Sequence, residues 1–132
     1  MIFIDSDAFL GISNPNDALH SRAIALLKDQ TADIVTSWDV IDEVSTKLSY
    51  HFSKFHAVEF LGSLSAHNIK IEFLDNETSQ EAKKIFLSQK SKNVSMTDCA
   101  NMAIAKKLKI NTFFSFDEHY PKNGFKLLTT RT

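Results

Sequence analysis

The 132-residue sequence has few of the residues that cross-link or interrupt a chain: it holds one cysteine, three glycines and two prolines. A single cysteine excludes a disulfide framework within the chain and is typical of proteins from a reducing compartment. The scarcity of glycine leaves no glycine-rich loop of the kind that cradles phosphate groups in nucleotide-binding proteins. Stability must therefore come from a hydrophobic core, to which 43% of the residues are suited.

Long apolar runs are also missing. No stretch approaches the roughly 20 apolar residues that a membrane-spanning helix requires. The chain reaches an acid at Asp5 before any basic segment or apolar signal region has formed. We therefore expect a soluble, cytoplasmic protein without a membrane segment, folded as one domain over residues 1–132.

The net charge is only −1, but the charged residues are unevenly distributed. Thirteen of the 16 acidic residues lie within residues 1–82, whereas ten of the 15 basic residues follow them. An acidic region can hold a cation, and a basic region can attract a polyanion such as a nucleic acid. Solvated surface charge explains the same distribution without any ligand, so the charge pattern alone does not establish a function.

Short apolar segments alternate with segments of helical periodicity along the chain. The predicted strands are residues 2–4, 33–36, 69–73, 112–116 and 125–128, and the predicted helices are residues 18–28, 37–48, 55–67, 78–89 and 95–108. In residues 69–73 apolar and charged residues alternate, which favours a strand at the edge of a sheet. The alternation of strands and helices predicts an α/β fold with a mostly parallel sheet of four or five strands, covered by helices on both faces.

Four acidic residues have positions that favour a functional role. Asp5 and Asp117 directly follow predicted strands. Asp98 lies in the first turn of a predicted helix, and Glu43 borders the apolar stripe of another, from which Asp42 points away. In open α/β sheets, ligands bind beyond the carboxyl ends of the strands. We therefore expect these four carboxylates to face a common cleft.

Each of these acids also has a purely structural explanation. Ser95 and Asp98 have the spacing of a capping box, in which each residue hydrogen-bonds the backbone of the other. Glu43 and Lys47 have the spacing of an ion pair along one helix face. An acid directly after a strand, such as Asp5, also fits a turn or a helix cap.

If the four carboxylates converge, they cannot all remain ionised without a counter-ion. Mg²⁺ and Mn²⁺ are hard cations that prefer carboxylate oxygens and substrate phosphates as ligands. Such ions can activate water and stabilise the leaving oxygen when a phosphodiester is attacked. The pattern therefore indicates hydrolysis of a phosphodiester, with no nucleophile supplied by the protein.

Four segments, in this order and at this spacing, resemble the PIN-domain nucleases and, among them, the VapC-type toxins of toxin–antitoxin pairs. The segments are Ile2–Ser6, Val40–Val44, Ser95–Ala100 and Phe114–Tyr120. The resemblance extends over nearly the whole chain, and its most specific part is Ser-x-Thr-Asp-Cys followed by Phe-Asp-x-His-Tyr. It implies a PIN-like fold of three layers, α/β/α.

The resemblance also implies a site and an activity. The implied catalytic and metal-binding residues are Asp5, Glu43, Asp98 and Asp117, with Ser6, Ser95 and Thr97 as supporting hydroxyls. The implied activity is that of an Mg²⁺- or Mn²⁺-dependent endoribonuclease that cleaves RNA, forms a homodimer and is inhibited by a cognate antitoxin. Asp7 departs from the pattern, because many relatives have an uncharged residue there. It is either a fifth acid of the site or a residue that faces away from it.

Two surface features bear on RNA and protein partners. A run of basic residues would follow RNA phosphates, although a solvated helix face explains it equally well; it comprises Lys83, Lys84, Lys90, Lys92, Lys106, Lys107 and Lys109. The middle helices are rich in aromatic residues, among them Trp38, Phe55 and Phe60. Core packing explains these rings, whereas exposed rings would indicate a dimer or antitoxin interface.

Two alternative functions remain open. Asp5-Ser6-Asp7 after an apolar strand also resembles haloacid-dehalogenase-type phosphatases, in which Asp5 would be the nucleophile and Asp7 the acid and base. The position of Asp98 in a helix and the short chain fit that family poorly. The other alternative is a catalytically inert PIN-fold module that binds RNA or protein. Such a module would be expected to lack one of the four acids, and none is missing.

Overall fold

The computed structural model describes residues 1–130, which contain five β-strands and seven helices. The strands are β1 Ile2–Ile4, β2 Ile34–Ser37, β3 Lys70–Glu72, β4 Thr112–Phe114 and β5 Lys126–Leu127. They form one sheet in the order β3-β2-β1-β4-β5, and every neighbouring pair is parallel. The predicted α/β class is confirmed, and β3 occupies an edge of the sheet as its alternating sequence predicts. Residues 131 and 132 of the predicted domain lie outside the described residues.

Helices connect the strands and cover the sheet. They are α1 Ser6–Ser13, α2 His20–Asp29, α3 Trp38–His51, α4 Lys54–Ala66, α5 Asn76–Ser88, α6 Met96–Leu108 and α7 His119–Lys122. Helices α1 to α4 pack against one another, whereas α5 packs along α6. Right-handed crossovers place the first four helices on one face and the α5–α6 pair on the other. Between residues 1 and 130, no helix is both long and apolar enough to cross a membrane.

Strand β1 lies in the middle of the sheet because all three of its side chains are apolar and buried. A strand covered on both faces can bury every residue, so its sequence is a continuous apolar run. Phe3 packs against Phe113 of β4, with 5.1 Å between the ring centroids. Tyr120 of α7 stacks on Phe113 at 3.9 Å, which fixes α7 against the sheet.

Helices α1 and α7 are not predicted by the sequence pattern. They have only eight and four residues, too few to show a repeating apolar stripe. Helix α1 begins directly after β1 because Asp5 caps it: the Asp5 side chain accepts a hydrogen bond from the Ser6 amide at 2.7 Å. A helix therefore follows β1 over residues 6–13, for which the sequence pattern predicts no element.

The sequence predicts Val58, Leu61 and Leu64 as the apolar stripe of α4, and this prediction is wrong for Val58 and Leu61. Val58 and Leu61 have helical spacing with Leu64, but they are 54% and 43% exposed. The buried side chains are instead Ala57, Phe60 and Leu64, which have an equally good helical spacing. Two apolar stripes share this helix, and the contact of Phe60 with Phe9 of α1, at 5.0 Å between ring centroids, decides which one faces the core.

The order of strands reverses at β1. The chain moves from β1 to β2 on one side and later returns to β4 on the other side of β1. The parallel pairing of β1 with β4 brings their carboxyl ends together, and a crevice at such a switch point is the usual ligand site of an open α/β sheet. Asp5 follows β1 at this point, and Asp117 lies three residues beyond β4.

The Phe9–Phe60 contact predicts unequal effects for two rings of α4. We expect Phe60→Ala to lower the free energy of unfolding by about 3–5 kcal/mol, because it removes a buried ring and leaves a cavity. Phe55→Ala, on the exposed side, should change it by less than about 0.5 kcal/mol. Chemical denaturation followed by circular dichroism measures both, and equal effects would contradict the packing of α4.

Candidate active site

Asp5 is the most deeply buried carboxylate of the chain, with 4% of its surface exposed. Its Oδ1 accepts hydrogen bonds from the Ser6 amide and from Asn101 Nδ2, at 2.7 and 3.2 Å. Its Oδ2 accepts a hydrogen bond of 2.6 Å from the Tyr120 hydroxyl. Burial and the neighbouring charge of Asp7 nevertheless raise the pKa of Asp5 to about 7.

Asn101 and Tyr120 complete the surroundings of Asp5, and sequence reasoning assigns neither to the site. Asn101 Nδ2 also donates to the Tyr120 hydroxyl at 3.2 Å, and Asn101 Oδ1 accepts from Ser37 Oγ at 3.0 Å. Burial and the Asp5 charge raise the pKa of Tyr120 well above its usual range, so its hydroxyl keeps the proton it donates. The one sequence signal for Asn101 is that it is an amide among the mostly apolar residues 99–105, which α6 buries.

Asp7 belongs to the site, which answers the question its sequence leaves open. Its Oδ2 accepts hydrogen bonds from the Phe116 amide and the Ser115 hydroxyl, at 2.7 and 3.0 Å. Burial is the main reason that the pKa of Asp7 is raised, and Asp117 raises it further. Asp7 therefore ties the loop after β4 to α1 and adds a negative charge beside Asp5.

Asp98 and Asp117 lie close enough for their charges to interact. Asp98 Oδ2 accepts from the Ser95 amide while Ser95 Oγ accepts from the Asp98 amide, so the predicted capping box is present. The pKa of Asp98 is raised mainly by burial and also by the charge of Asp117. The Asp117 amide donates to Ser115 Oγ, and its Oδ1 accepts from the His119 amide at 2.9 Å. Asp98 thus serves as a helix cap and as one of the clustered acids.

Glu43 makes the surface ion pair that its spacing also predicts. Its Oε1 lies 3.2 Å from Lys47 Nζ, and 36% of its side chain is exposed. Glu43 is not among the main charges that act on Asp5, Asp7 or Asp98. The structure therefore brings together three of the four predicted carboxylates, with Asp7 in addition.

The three predicted hydroxyl residues have different positions. Ser6 contacts Asp5 through its backbone amide, and Ser95 caps α6 beside Asp98. Thr97 is half-buried in the first turn of α6. The Ser95 hydroxyl accepts a hydrogen bond from the Asp98 amide, and the Asp98 carboxylate accepts one from the Ser95 amide rather than from its hydroxyl.

The chemistry of the donor atoms, although not their present arrangement, suits a hard divalent cation. The charges of Asp7 and Asp98 raise the pKa of Asp5, and the charge of Asp117 raises the pKa of Asp7 and of Asp98, as expected of carboxylates that lie close together. Hydrogen bonds to Asp5 and Asp7 offset part of this repulsion, and His119 Nε2 lies 3.7 Å from Asp117 Oδ1. Carboxylate oxygens of this kind are the ligands that Mg²⁺ and Mn²⁺ prefer. Among residues 1–130, no three His, Cys, Asp or Glu side chains are arranged to hold an ion in their present positions.

Comparisons with known proteins agree with this geometry. A family model of the PIN domain matches residues 2–126. VapC20 of Mycobacterium tuberculosis, named a 23S rRNA-specific endonuclease, is 23% identical over 125 residues, which make up 95% of each chain. The crystal structure of VapC20, described as a toxin that cleaves the sarcin–ricin loop, has a TM-score of 0.87 at 22% identity and covers 95% of this chain and 96% of its own.

A second solved structure is more distant. FitAcB from Neisseria gonorrhoeae has a TM-score of 0.73 at 16% sequence identity, with 98% of this chain and 97% of that chain covered. At these identities, the structural likeness to VapC20 and FitAcB establishes the fold, which is the predicted PIN-like α/β/α arrangement.

The raised pKa of Asp5 predicts a stability that falls as the pH rises. The folded protein keeps a proton on Asp5 up to about pH 7, whereas the unfolded chain releases it near its ordinary pKa of 3.8. The free energy of unfolding should therefore decrease between about pH 4 and pH 7, by on the order of 3 kcal/mol from this group. Asp5→Asn should reduce that slope, because the amide does not titrate.

Urea denaturation in EDTA at several pH values measures this slope. Asp33→Asn, an exposed residue at the opposite ends of the strands, is the matched control and should leave the slope unchanged. At pH 7.5, Mn²⁺ should raise the midpoint of the wild type more than that of Asp5→Asn, because a ligand that binds the folded state stabilises it. Identical slopes for the wild type and Asp5→Asn would show that Asp5 is ionised throughout.

Proposed function

This chain belongs to the PIN-domain family, and on that premise we propose that it is a metal-dependent endoribonuclease. The observation that carries the proposal is the convergence of Asp5, Asp98 and Asp117, with Asp7, at the switch point of the sheet. Like-charged side chains held together in a fold oppose its stability, and such an arrangement is typical of a functional site.

Mg²⁺ or Mn²⁺ would be held by Asp5, Asp98 and Asp117, and by Glu43 once its carboxylate leaves Lys47. Such an ion, when bound, neutralises the carboxylates, lowers the pKa of water and stabilises negative charge on a phosphodiester. The residues of the chain prepare this site: Tyr120 and Asn101 fix the orientation of Asp5. Asp5 has to release its proton before it becomes a ligand, so we expect activity to rise towards neutral pH.

RNA is the proposed substrate, as it is for the VapC20 relative by its name. The basic run supports this only in part, because two of its seven lysines are engaged in ion pairs. Lys107 pairs with Asp75 at 2.6 Å, and Lys106 pairs with Glu81 at 3.8 Å. Lys83, Lys84, Lys90 and Lys92 are exposed and remain available for phosphate groups.

A protein partner is proposed as well, in the form of a second copy of the chain or a cognate antitoxin. The supporting feature is the outer side of α4, where Phe55, Val58 and Leu61 are 66%, 54% and 43% exposed. Clustered apolar exposure of this kind marks protein interfaces. Phe60, which the sequence places in the same aromatic group, is buried and does not contribute to this surface.

The two alternatives are less well supported. A haloacid-dehalogenase-type phosphatase needs Asp7 free to act as acid and base, but Asp7 is occupied by Ser115 and Phe116. An inert binding module has no need to keep four mutually repelling aspartates. The first alternative predicts turnover of a small phosphate ester that survives Asp98→Asn, and the second predicts tight RNA binding without cleavage in saturating Mn²⁺.

Removing single carboxylates tests the nuclease proposal. We expect Asp98→Asn, Asp117→Asn and Glu43→Gln each to lower the rate of RNA cleavage at least about 100-fold, because each removes charge that holds the cation. Asp42→Asn, which changes an exposed acid next to Glu43 in the sequence, is the control and should cleave normally. The assay is cleavage of a labelled RNA pool across a Mn²⁺ titration.

Each result has a defined meaning. Full activity of Glu43→Gln would remove Glu43 from the site and leave it as the partner of Lys47. Full activity of Asp98→Asn or Asp117→Asn would contradict the proposed metal centre. Cleavage by every variant at the wild-type rate would identify a contaminating nuclease.

The partner surface predicts a separate effect of charge. We expect Phe55→Glu to abolish association of the protein with itself or with the co-expressed antitoxin, because a carboxylate would be buried in an apolar contact. RNA cleavage by the isolated variant should persist if the monomer is the active form. Sedimentation and co-purification measure the two associations, and unchanged values in both would exclude Phe55 from any interface.

A further inference from the structure

Two aromatic rings are stacked on the surface next to the carboxylate site. The ring centroids of Trp38 and Phe73 lie 5.9 Å apart, and their planes are inclined by 20°. Half of the Trp38 surface and 65% of the Phe73 surface remain exposed. Aromatic rings contribute most to stability when they are buried. A stacked pair left largely in water therefore adds little to the core and keeps its faces available to a ligand.

The pair lies on the same edge of the sheet as the carboxylates. Trp38 directly follows β2 and Phe73 directly follows β3, and the residues before them, Ser37 and Glu72, are partners in the parallel ladder. Ser37 is also linked to the site, because its hydroxyl donates to Asn101, whose amide donates to Asp5. The aromatic pair is thus one and two strands away from Asp5.

The distance from Asp5 to the aromatic pair is comparable to the length of two or three stacked nucleotides. Neighbouring strands lie about 4.8 Å apart, so the backbone of the pair is roughly 5–10 Å from that of Asp5. Stacked nucleotides rise by about 3.4 Å each. A phosphodiester at the carboxylates therefore has bases within two or three nucleotides that can reach Trp38 and Phe73.

The surroundings of the pair are charged rather than apolar. Lys70 pairs at 3.2 Å with Glu72, the residue before Phe73, and Lys107 pairs at 2.6 Å with Asp75, two residues after Phe73. The partly exposed Leu74 is the apolar neighbour in sequence. The outer side of α4 has the contiguous apolar character of a protein contact, whereas exposed aromatic rings flanked by charged residues are typical of surfaces on which the bases of single-stranded nucleic acid stack.

We propose that Trp38 and Phe73 form a stacking platform for an unpaired base of the RNA substrate, close to the phosphodiester that is cleaved. The proposal rests on the proposed ribonuclease function and names its substrate class more closely. Every base has a face that stacks on an aromatic ring, so the platform selects single-stranded or looped RNA over duplex without selecting a sequence.

Trp38 is the only tryptophan of the chain, so its fluorescence reports directly on the platform. The probe is a single-stranded 12-nucleotide RNA of mixed sequence, added to the Asp117→Asn variant in Mn²⁺. An abasic ribose-phosphate chain of the same length has the same charge without bases, and a blunt duplex has bases that are already stacked. We expect quenching by the single-stranded RNA and little quenching by the other two.

Variants in the active protein measure what the platform contributes. Trp38→Leu and Phe73→Leu should each raise KM for single-stranded RNA about 10-fold, within a range of about 5- to 100-fold for one stacked base, and change kcat less than about 2-fold. Tyr50→Leu is the matched control, because Tyr50 is 83% exposed on the same helix, about 18 Å along its axis from Trp38. Thermal unfolding verifies that the variants are folded.

The outcomes separate this proposal from the proposed function. Normal KM values for both variants of a wild type that cleaves would overturn the platform and leave the nuclease intact. Quenching by single-stranded RNA from a wild type that does not cleave would support the platform and overturn the nuclease. Loss of self-association in Trp38→Leu, with no quenching by RNA, would overturn the platform and assign the pair to a protein interface.

Discussion

A buried carboxylate at the end of the central strand is the constraint on which the site depends. Asp5 directly follows β1 and caps α1. It accepts hydrogen bonds from Asn101 of α6 and Tyr120 of α7. A carboxylate at this depth without partners would cost several kcal/mol, so the fold must place these donors correctly. The same contacts that make the burial tolerable therefore also set the positions of the four elements that meet at the site.

The electrostatics of the site follow from the strand order. Because β1 and β4 are neighbours, the acids that follow them are close, and Asp7 holds the β4 loop in place through Ser115 and Phe116. Burial and like charge together raise the pKa of Asp5, Asp7 and Asp98, so each of these carboxylates keeps its proton to a higher pH than it would in water. Clustered acids that oppose the stability of their own fold are typical of functional sites, and this cluster lies in a chain of the PIN-domain family.

Local patterns were sufficient for much of the fold. The apolar run Ile2–Ile4 is a buried strand, Ser37 caps α3, and Ser95 and Asp98 form a capping box, because each of these features depends on residues within a few positions. The short helices α1 and α7 were beyond such patterns. Local patterns also left the buried side of α4 undetermined. Two apolar stripes with helical spacing share Leu64, and the contact of Phe60 with Phe9 distinguishes them.

The alternation of apolar strands with helical segments was enough to predict the α/β class, and the order and spacing of four short segments were enough to identify the PIN-domain family, because both are properties of the sequence itself. Tertiary structure alone decided which side chains share the site. Asn101 contacts Asp5 across 96 positions and Tyr120 contacts it across 115, while Glu43 pairs with Lys47 four positions away. Contacts across such separations depend on how α6 and α7 pack against β1, and this packing is a property of the whole core that no local pattern contains.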